Sequence, residues 1–227
     1  KATTPEIPFD SVPNFLKLPS DLYLGEGIGV ATNSKGHVFV YTRSGETRLF
    51  EFDQTGVFVR EIGQGLYGFA FAHAVRVDRE DNIWAVDEGT DTIVKFNPEG
   101  RVVMTVGRRT DPIFAIGNMP GQGSFHGRNE KYRFGRETDI AWDQQGNFFV
   151  ADGYNNSRVV KLAKDGTWLK SVGTRGAGNN QFNTVHAITV DAKNNIYVAD
   201  RGNRRIQVYD TDLNFLKSIT SAAAPWS

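Results

Sequence analysis

The stretch HAVRVDREDNIWAVDEGTDTIVKFNPEGRVVMTVG, residues 73–107, decides the fold. It contains four short runs of β-type residues, at 73–77, 83–86, 93–96 and 102–106. Branched and aromatic side chains fill these runs, as a pleated, half-buried surface favours. The gaps between them hold Asp, Asn, Gly and Pro, which supply turn geometry. No apolar period of 3.6 residues accompanies the pattern, so strands rather than helices are expected.

The pattern recurs on both sides of this stretch. Its first half reads IGVATNSKGHVFVYT from Ile28, TDIAWDQQGNFFVAD from Thr138 and HAITVDAKNNIYVAD from His186. Its second half reads RLFEFDQTGVFVREIG from Arg48, RVVKLAKDGTWLKSVG from Arg158 and RIQVYDTDLNFLKSIT from Arg205. A Gly-rich polar insertion, residues 108–136, separates the second copy from the third. Tandem four-stranded units of about 40 to 50 residues are the signature of a β-propeller. One such sheet cannot bury both of its faces, whereas sheets set radially bury one another's. The expected fold is therefore all-β, a single propeller domain over residues 1–227. Its four-stranded blades fall at about 28–63, 73–107, 138–173 and 186–220. Residues 221–227, SAAAPWS, read as the lead-in to a fifth inner strand, a stub at which the chain stops. Four blades and a stub are expected to be part of a six-bladed ring, with a second chain as a candidate partner to complete it. A β-sandwich with accidental internal similarity is the alternative architecture.

Composition narrows the function classes. The 227 residues are enough to bury a substantial core. Lys and Arg number 26 and so do Asp and Glu, which argues against a general nucleic-acid binder with its basic field. There is no cysteine, which removes disulfides, thiolate metal sites and cysteine nucleophiles together. No window approaches the roughly 18 apolar residues of a membrane span. The chain begins at Lys1, which fits a removed leader or a trimmed start.

Propeller topology states where polar residues converge. Strands run antiparallel from the axis outward, so the start of each first strand and the loop between the second and third strands share one face. The first-strand positions are Ile28, His73, Thr138 and His186. In a six-bladed ring the second and fourth blades stand about 120° apart. A third histidine in the sixth blade would complete a three-histidine cup that zinc accepts with one position open. The alternative is that both histidines cap the channel by hydrogen bonding to backbone or water. The second-to-third-strand loops carry Arg43, Glu88, Tyr154 and Arg201. Arginine grips carboxylates through two parallel hydrogen bonds, and a tyrosine beside a divalent metal can act as a base. The alternative for these four is a solvated loop. His37 lies in a tight turn and His126 in the insertion, and both are expected to be solvated. Arg204 and Arg205, with Arg201, form a basic cluster expected on a solvated rim.

The runs NIWAVDEGTDTIVKF, FFVADGYNNSRVVKL and IYVADRGNRRIQVYD resemble NHL repeats, which build propellers. With VYTRSG, AHAVRVD, ADGYNNSR and ADRGNRRIQ, the chain from about Tyr23 onward resembles the peptidyl-α-hydroxyglycine amidating lyases and their bacterial relatives. That resemblance implies a six-bladed propeller with zinc on three histidines, of which His73 and His186 match two; the third, from a sixth blade, has no counterpart here. It implies Tyr154, Arg43 and Arg201 as catalytic residues, and a channel calcium on the backbone carbonyls of Val30 and Val75 plus an aspartate beside the third histidine, which likewise has no counterpart here. The implied reaction splits an N-acyl α-hydroxyglycine into an amide and glyoxylate, so the expected partner is a small molecule or peptide with a C-terminal carboxylate. A periplasmic or extracellular location is the matching expectation. A non-catalytic NHL propeller that binds a protein or ligand on the same face is the alternative function. Asn155 follows Tyr154 where the animal enzymes carry a disulfide cysteine, a departure from the pattern.

Overall fold

The computed structural model describes residues 6–109, 130–220 and 223–226. Four of its sheets have four antiparallel strands, each sheet in chain order. The first comprises β1 (Gly27–Thr32), β2 (Val38–Thr42), β3 (Arg48–Phe52) and β4 (Phe58–Ile62). The second comprises β5 (Ala72–Val77), β6 (Ile83–Asp87), β7 (Thr92–Phe96) and β8 (Val102–Gly107). The third comprises β9 (Glu137–Trp142), β10 (Phe148–Asp152), β11 (Arg158–Leu162) and β12 (Trp168–Val172). A small parallel pair follows, β13 (Thr174–Arg175) with β14 (Gln181–Phe182), which the alternation in the sequence does not signal. The last sheet comprises β15 (Val185–Val190), β16 (Ile196–Asp200), β17 (Arg205–Tyr209) and β18 (Phe215–Thr220). The innermost strands are neighbours in turn, β1 to β5, β5 to β9 and β9 to β15. This is the blade arrangement of a β-propeller. Residues 110–129 of the expected insertion lie outside the described residues, as does His126.

Packing between sheets follows the radial logic. Phe39, Tyr41, Leu49 and Phe96 join the first two blades. Trp84, Val86, Phe134 and Phe148 join the second to the third. Phe149, Phe182, Tyr209 and Leu213 join the third to the fourth. Burying each such large side chain contributes about 1.5–3 kcal/mol. The outer side of the first blade is covered as well. There Leu16, Leu18 and Leu24 pack on Val40, Phe50 and Phe52, and Lys17 bridges to Val57.

A register break recurs at one place in every blade. Ala72 pairs with Asp87 and Ala74 with Val86, so His73 is left over on the bulged strand. The same break leaves His186 between Val185 and Ala187, Ile28 between Gly27 and Gly29, and Thr138 between Glu137 and Asp139. A bulge frees one residue from the pairing and re-aims its side chain.

A second recurring device fixes the approach to each inner strand. Asp87, Asp152 and Asp200 end the second strands of blades two to four, each completely buried. Asp87 accepts from the Ala70 and Phe71 amides, Asp152 from Gly135 and Asp200 from Asn183. Each carboxylate thus pins the segment that leads into its own innermost strand.

Two expectations about surface residues are corrected. His37 is not merely solvated: its Nδ1 lies 2.7 Å from the buried Glu51 carboxylate, which also takes Arg60. Arg205 is not a rim residue either. It donates to Asp200 and to the Gly178 and Gln181 carbonyls, so it is part of the blade-four scaffold.

Candidate active site

The loops after β2, β10 and β16 are held by one repeated backbone bond. The amides of Arg43, Tyr154 and Arg201 donate to the carbonyls of Glu26, Arg136 and Thr184, at 3.2, 3.3 and 3.0 Å. Each acceptor lies two residues before the bulged residue of its blade. Arg136 and Thr184 adopt left-handed backbone there, with φ of 58° and 63°. Such values are uncommon for bulky or β-branched residues and mark local strain. The strain sits where the loops and the inner strands are tied together.

Two histidines and one tyrosine meet at the mouth. The His73 and His186 ring centroids are 5.0 Å apart. The Tyr154 hydroxyl lies 3.1 Å from His186 Nε2 and 3.4 Å from His73 Nε2. On the far side of each ring, Nδ1–H donates to a backbone carbonyl. His73 bonds Thr138 at 2.6 Å, and His186 bonds Trp226 at 2.5 Å. A carbonyl only accepts, so both Nδ1 atoms carry the proton. Burial pushes the His73 pKa down to about 4, helped by the neighbouring His186 ring and the Arg43 and Arg136 guanidinium groups and opposed by the Thr138 carbonyl. Burial lowers that of His186 too. Both rings are therefore neutral near pH 7, and both Nε2 lone pairs point at the phenol oxygen. A single hydroxyl proton can serve only one of them. The arrangement holds one more electron pair than it has protons to satisfy.

Three guanidinium groups surround this trio. Arg201 lies 5.4 Å over the Tyr154 ring and 4.2 Å over Trp226. Arg136 covers Tyr154 at 4.9 Å. Arg43 stacks on Phe71 at 4.5 Å and reaches Glu26 at 3.3 Å. Glu88 holds Arg136 at 3.1 Å and Arg43 at 3.9 Å through one oxygen, while its other oxygen is buried with no hydrogen-bond partner among the described residues. Burial raises the Glu88 pKa, and the two arginines offset part of that rise. A cavity of about 250 Å³ opens beside the histidines, lined in part by Arg43, Thr138, Tyr154 and Trp226.

The structure thus brings together His73, His186, Tyr154, Arg43 and Arg201, all singled out from the sequence. Val30 lines the cavity, while the Val75 side chain is buried in the core between the first two blades. The Val75 carbonyl accepts from Arg76 at 3.4 Å. Arg136 and Trp226 belong to the site, and sequence reasoning passed over both. Arg136 falls in the stretch read as insertion, and Trp226 in the stretch read as a stub. The signal that could have found Arg136 is its offset, two residues before the inner-strand position of blade three. Among the described residues no group of three or more His, Cys, Asp and Glu side chains is placed to hold a metal ion. The donors that could face one here are the two Nε2 atoms and the Tyr154 oxygen.

The four blades and their repeat make this chain a β-propeller of NHL-type repeats. The family described as a 6-bladed beta-propeller matches residues 128–225. The chain is 27% identical over 217 residues to a probable peptidyl-alpha-hydroxyglycine alpha-amidating lyase of Caenorhabditis elegans, covering 84% of this chain and 57% of the relative. It is 30% identical over 204 residues to NHL repeat-containing protein 3 of Mus musculus, covering 85% and 54%. The chain thus spans little more than half the length of these relatives. A streptogramin B lyase structure superposes with a TM-score of 0.65 at 14% identity, over 89% of this chain and 57% of that one, which is a likeness of fold. No helix among the described residues is long and apolar enough to cross a membrane.

Proposed function

We propose that this mouth is the centre of a zinc-dependent lyase that cleaves N-acyl α-hydroxyglycines to an amide and glyoxylate. The observation that carries the reading is the pair of neutral imidazoles aimed at one hydroxyl with one proton too few. Backbone carbonyls hold each Nδ1–H, the outer-shell arrangement that orients metal-binding histidines. His73 and His186 would hold the zinc with Tyr154 beside it, zinc being the ion that the resemblance of the repeat motifs implies. Bound there, zinc would act as a Lewis acid on the substrate's oxygen functions.

The chain's own residues account for the proton and the charge. Arg201 and Arg43 bind the substrate carboxylate, and their planar forks set its orientation. With its own hydroxyl proton released to solvent when the cation binds beside it, Tyr154 would present a phenolate oxygen that takes the proton from the α-hydroxyl as the C–O bond becomes a carbonyl and the C–N bond breaks. The electron pair of that C–N bond leaves on the amide nitrogen, which then recovers the proton from Tyr154. The products are the amide and glyoxylate, and the tyrosine ends as it began.

The test is glyoxylate release from α-hydroxyhippurate by chelated protein with and without added zinc. Zinc-dependent release is expected. A protein that binds zinc and releases no glyoxylate would favour a non-catalytic binding propeller. That second reading is supported by the equal similarity to a protein named only for its repeats.

A further inference from the structure

Below the histidines the channel holds a second charged constellation. Arg76 projects from β5 and Asp139 from β9. Arg76 Nε is 2.9 Å from Asp139 Oδ1, and Nη2 donates to Oδ2 at 3.0 Å, a two-point pairing. The same carboxylate accepts from two backbone amides, Ile140 at 2.9 Å and Ile188 at 3.2 Å. Ile188 belongs to β15, so one ion pair ties three consecutive innermost strands together. The Asp139 side chain is 3% exposed. The third guanidinium nitrogen, Nη1, turns to the Val75 carbonyl.

Val75 is one of the two carbonyls that the family resemblance assigns to a channel calcium. The residues present do not fit that ion. The Val75 oxygen already faces the Arg76 guanidinium at 3.4 Å, and a divalent cation on it would stand next to that positive charge, which the two-point pairing with Asp139 holds in place. The nearby carboxylate, Asp139, has both oxygens committed to Arg76 and to backbone amides. No further carboxylate or imidazole among the described residues joins it in a metal-holding group.

We infer that the Arg76 guanidinium, clamped by Asp139, serves as the built-in cation of this channel, in the place where a structural calcium would have to sit. The ligands a calcium would draw together are instead drawn to a side chain, and the strands are tied without metal. Asp139 is the buried member of the pair and Arg76 is 35% exposed, so removing Arg76 leaves the buried carboxylate without its counter-charge, whereas removing both members together costs less.

The test does not use the lyase activity and so stands apart from the functional proposal. Chelator-treated protein is titrated with calcium chloride by calorimetry and melted with and without millimolar calcium. No saturable heat and an unchanged Tm are expected. One-to-one calcium binding with a Tm raised by several degrees would overturn the inference. In parallel, Arg76→Met, Asp139→Asn and the double variant are melted. Each single change is expected to lower Tm by about 10 °C, and the double variant to lose clearly less than the two losses added. Additive losses would show that the pair is not a clamp.

Discussion

His73 and His186 come from different blades, yet their rings stand 5.0 Å apart and share one phenol oxygen, that of Tyr154. The bulges in β5 and β15 turn both side chains to the mouth. The chemistry expected of the protein follows from that meeting.

Tyr154→Phe removes the proton carrier and leaves both imidazoles in place. Glyoxylate release is expected to fall about 10²–10⁴-fold, the usual contribution of a positioned acid–base group. Zinc content, measured on the dialysed protein, should not change by more than a small factor. Loss of zinc with the hydroxyl would make Tyr154 a ligand instead of a base.

Each histidine should matter separately to the metal. His73→Ala and His186→Ala are expected to weaken zinc binding by more than the 10–100-fold that outer-shell changes cost. Competition against a chromogenic chelator measures this. Unchanged affinity in either variant would remove that imidazole from the site.

Glu137 carries a pH-dependent signature. It is completely buried, neither carboxyl oxygen has a hydrogen-bond partner among the described residues, and burial beside Asp91 and Asp152 pushes its pKa well above the usual range. A folded-state pKa raised above the unfolded one means stability that is full below the unfolded value, about 4.3, and lost as pH rises. Glu137→Gln keeps the shape and cannot ionise. The variant should match the parent near pH 4 and melt higher than it at pH 8. Equal melting points at both pH values would contradict the assignment.

Gly153 sets how closely the loop bearing Tyr154 approaches β15. A Cβ added there would lie 1.7 Å from the Val185 carbonyl oxygen, in the inner strand that carries His186. Gly153→Ala must therefore push Tyr154 away from His186. A stability loss of about 1–3 kcal/mol by urea unfolding is expected. The drop in glyoxylate release should exceed what the folded fraction explains.

Much of this was legible in the sequence, because blade strands alternate faces and their turns use Asp, Asn and Gly at fixed offsets. The face shared by His73, Tyr154 and Arg201 follows from antiparallel order alone. What alternation cannot show is a residue that escapes pairing, so the bulges at Ile28, His73, Thr138 and His186 emerged only from the register. Nor does it show contacts that pattern does not encode. Trp226 meets His186 through a backbone carbonyl, which any residue type could supply. Arg76 looks like an outward-facing strand residue until Asp139 of the next blade is seen opposite it.

The leftover residue in each inner strand contributes no rung to its ladder. Side chains at Ile28, His73 and His186 can therefore be exchanged with little effect on strand pairing, much as tools are changed in a fixed chuck. Two of these mounts hold imidazoles and Ile28 occupies the third, whereas the buried Thr138 hydroxyl donates to the Ala151 and Val185 carbonyls and ties its strand to both neighbours. Reactivity at this mouth can thus be rewritten by substitution at those mounts while the blades keep their register.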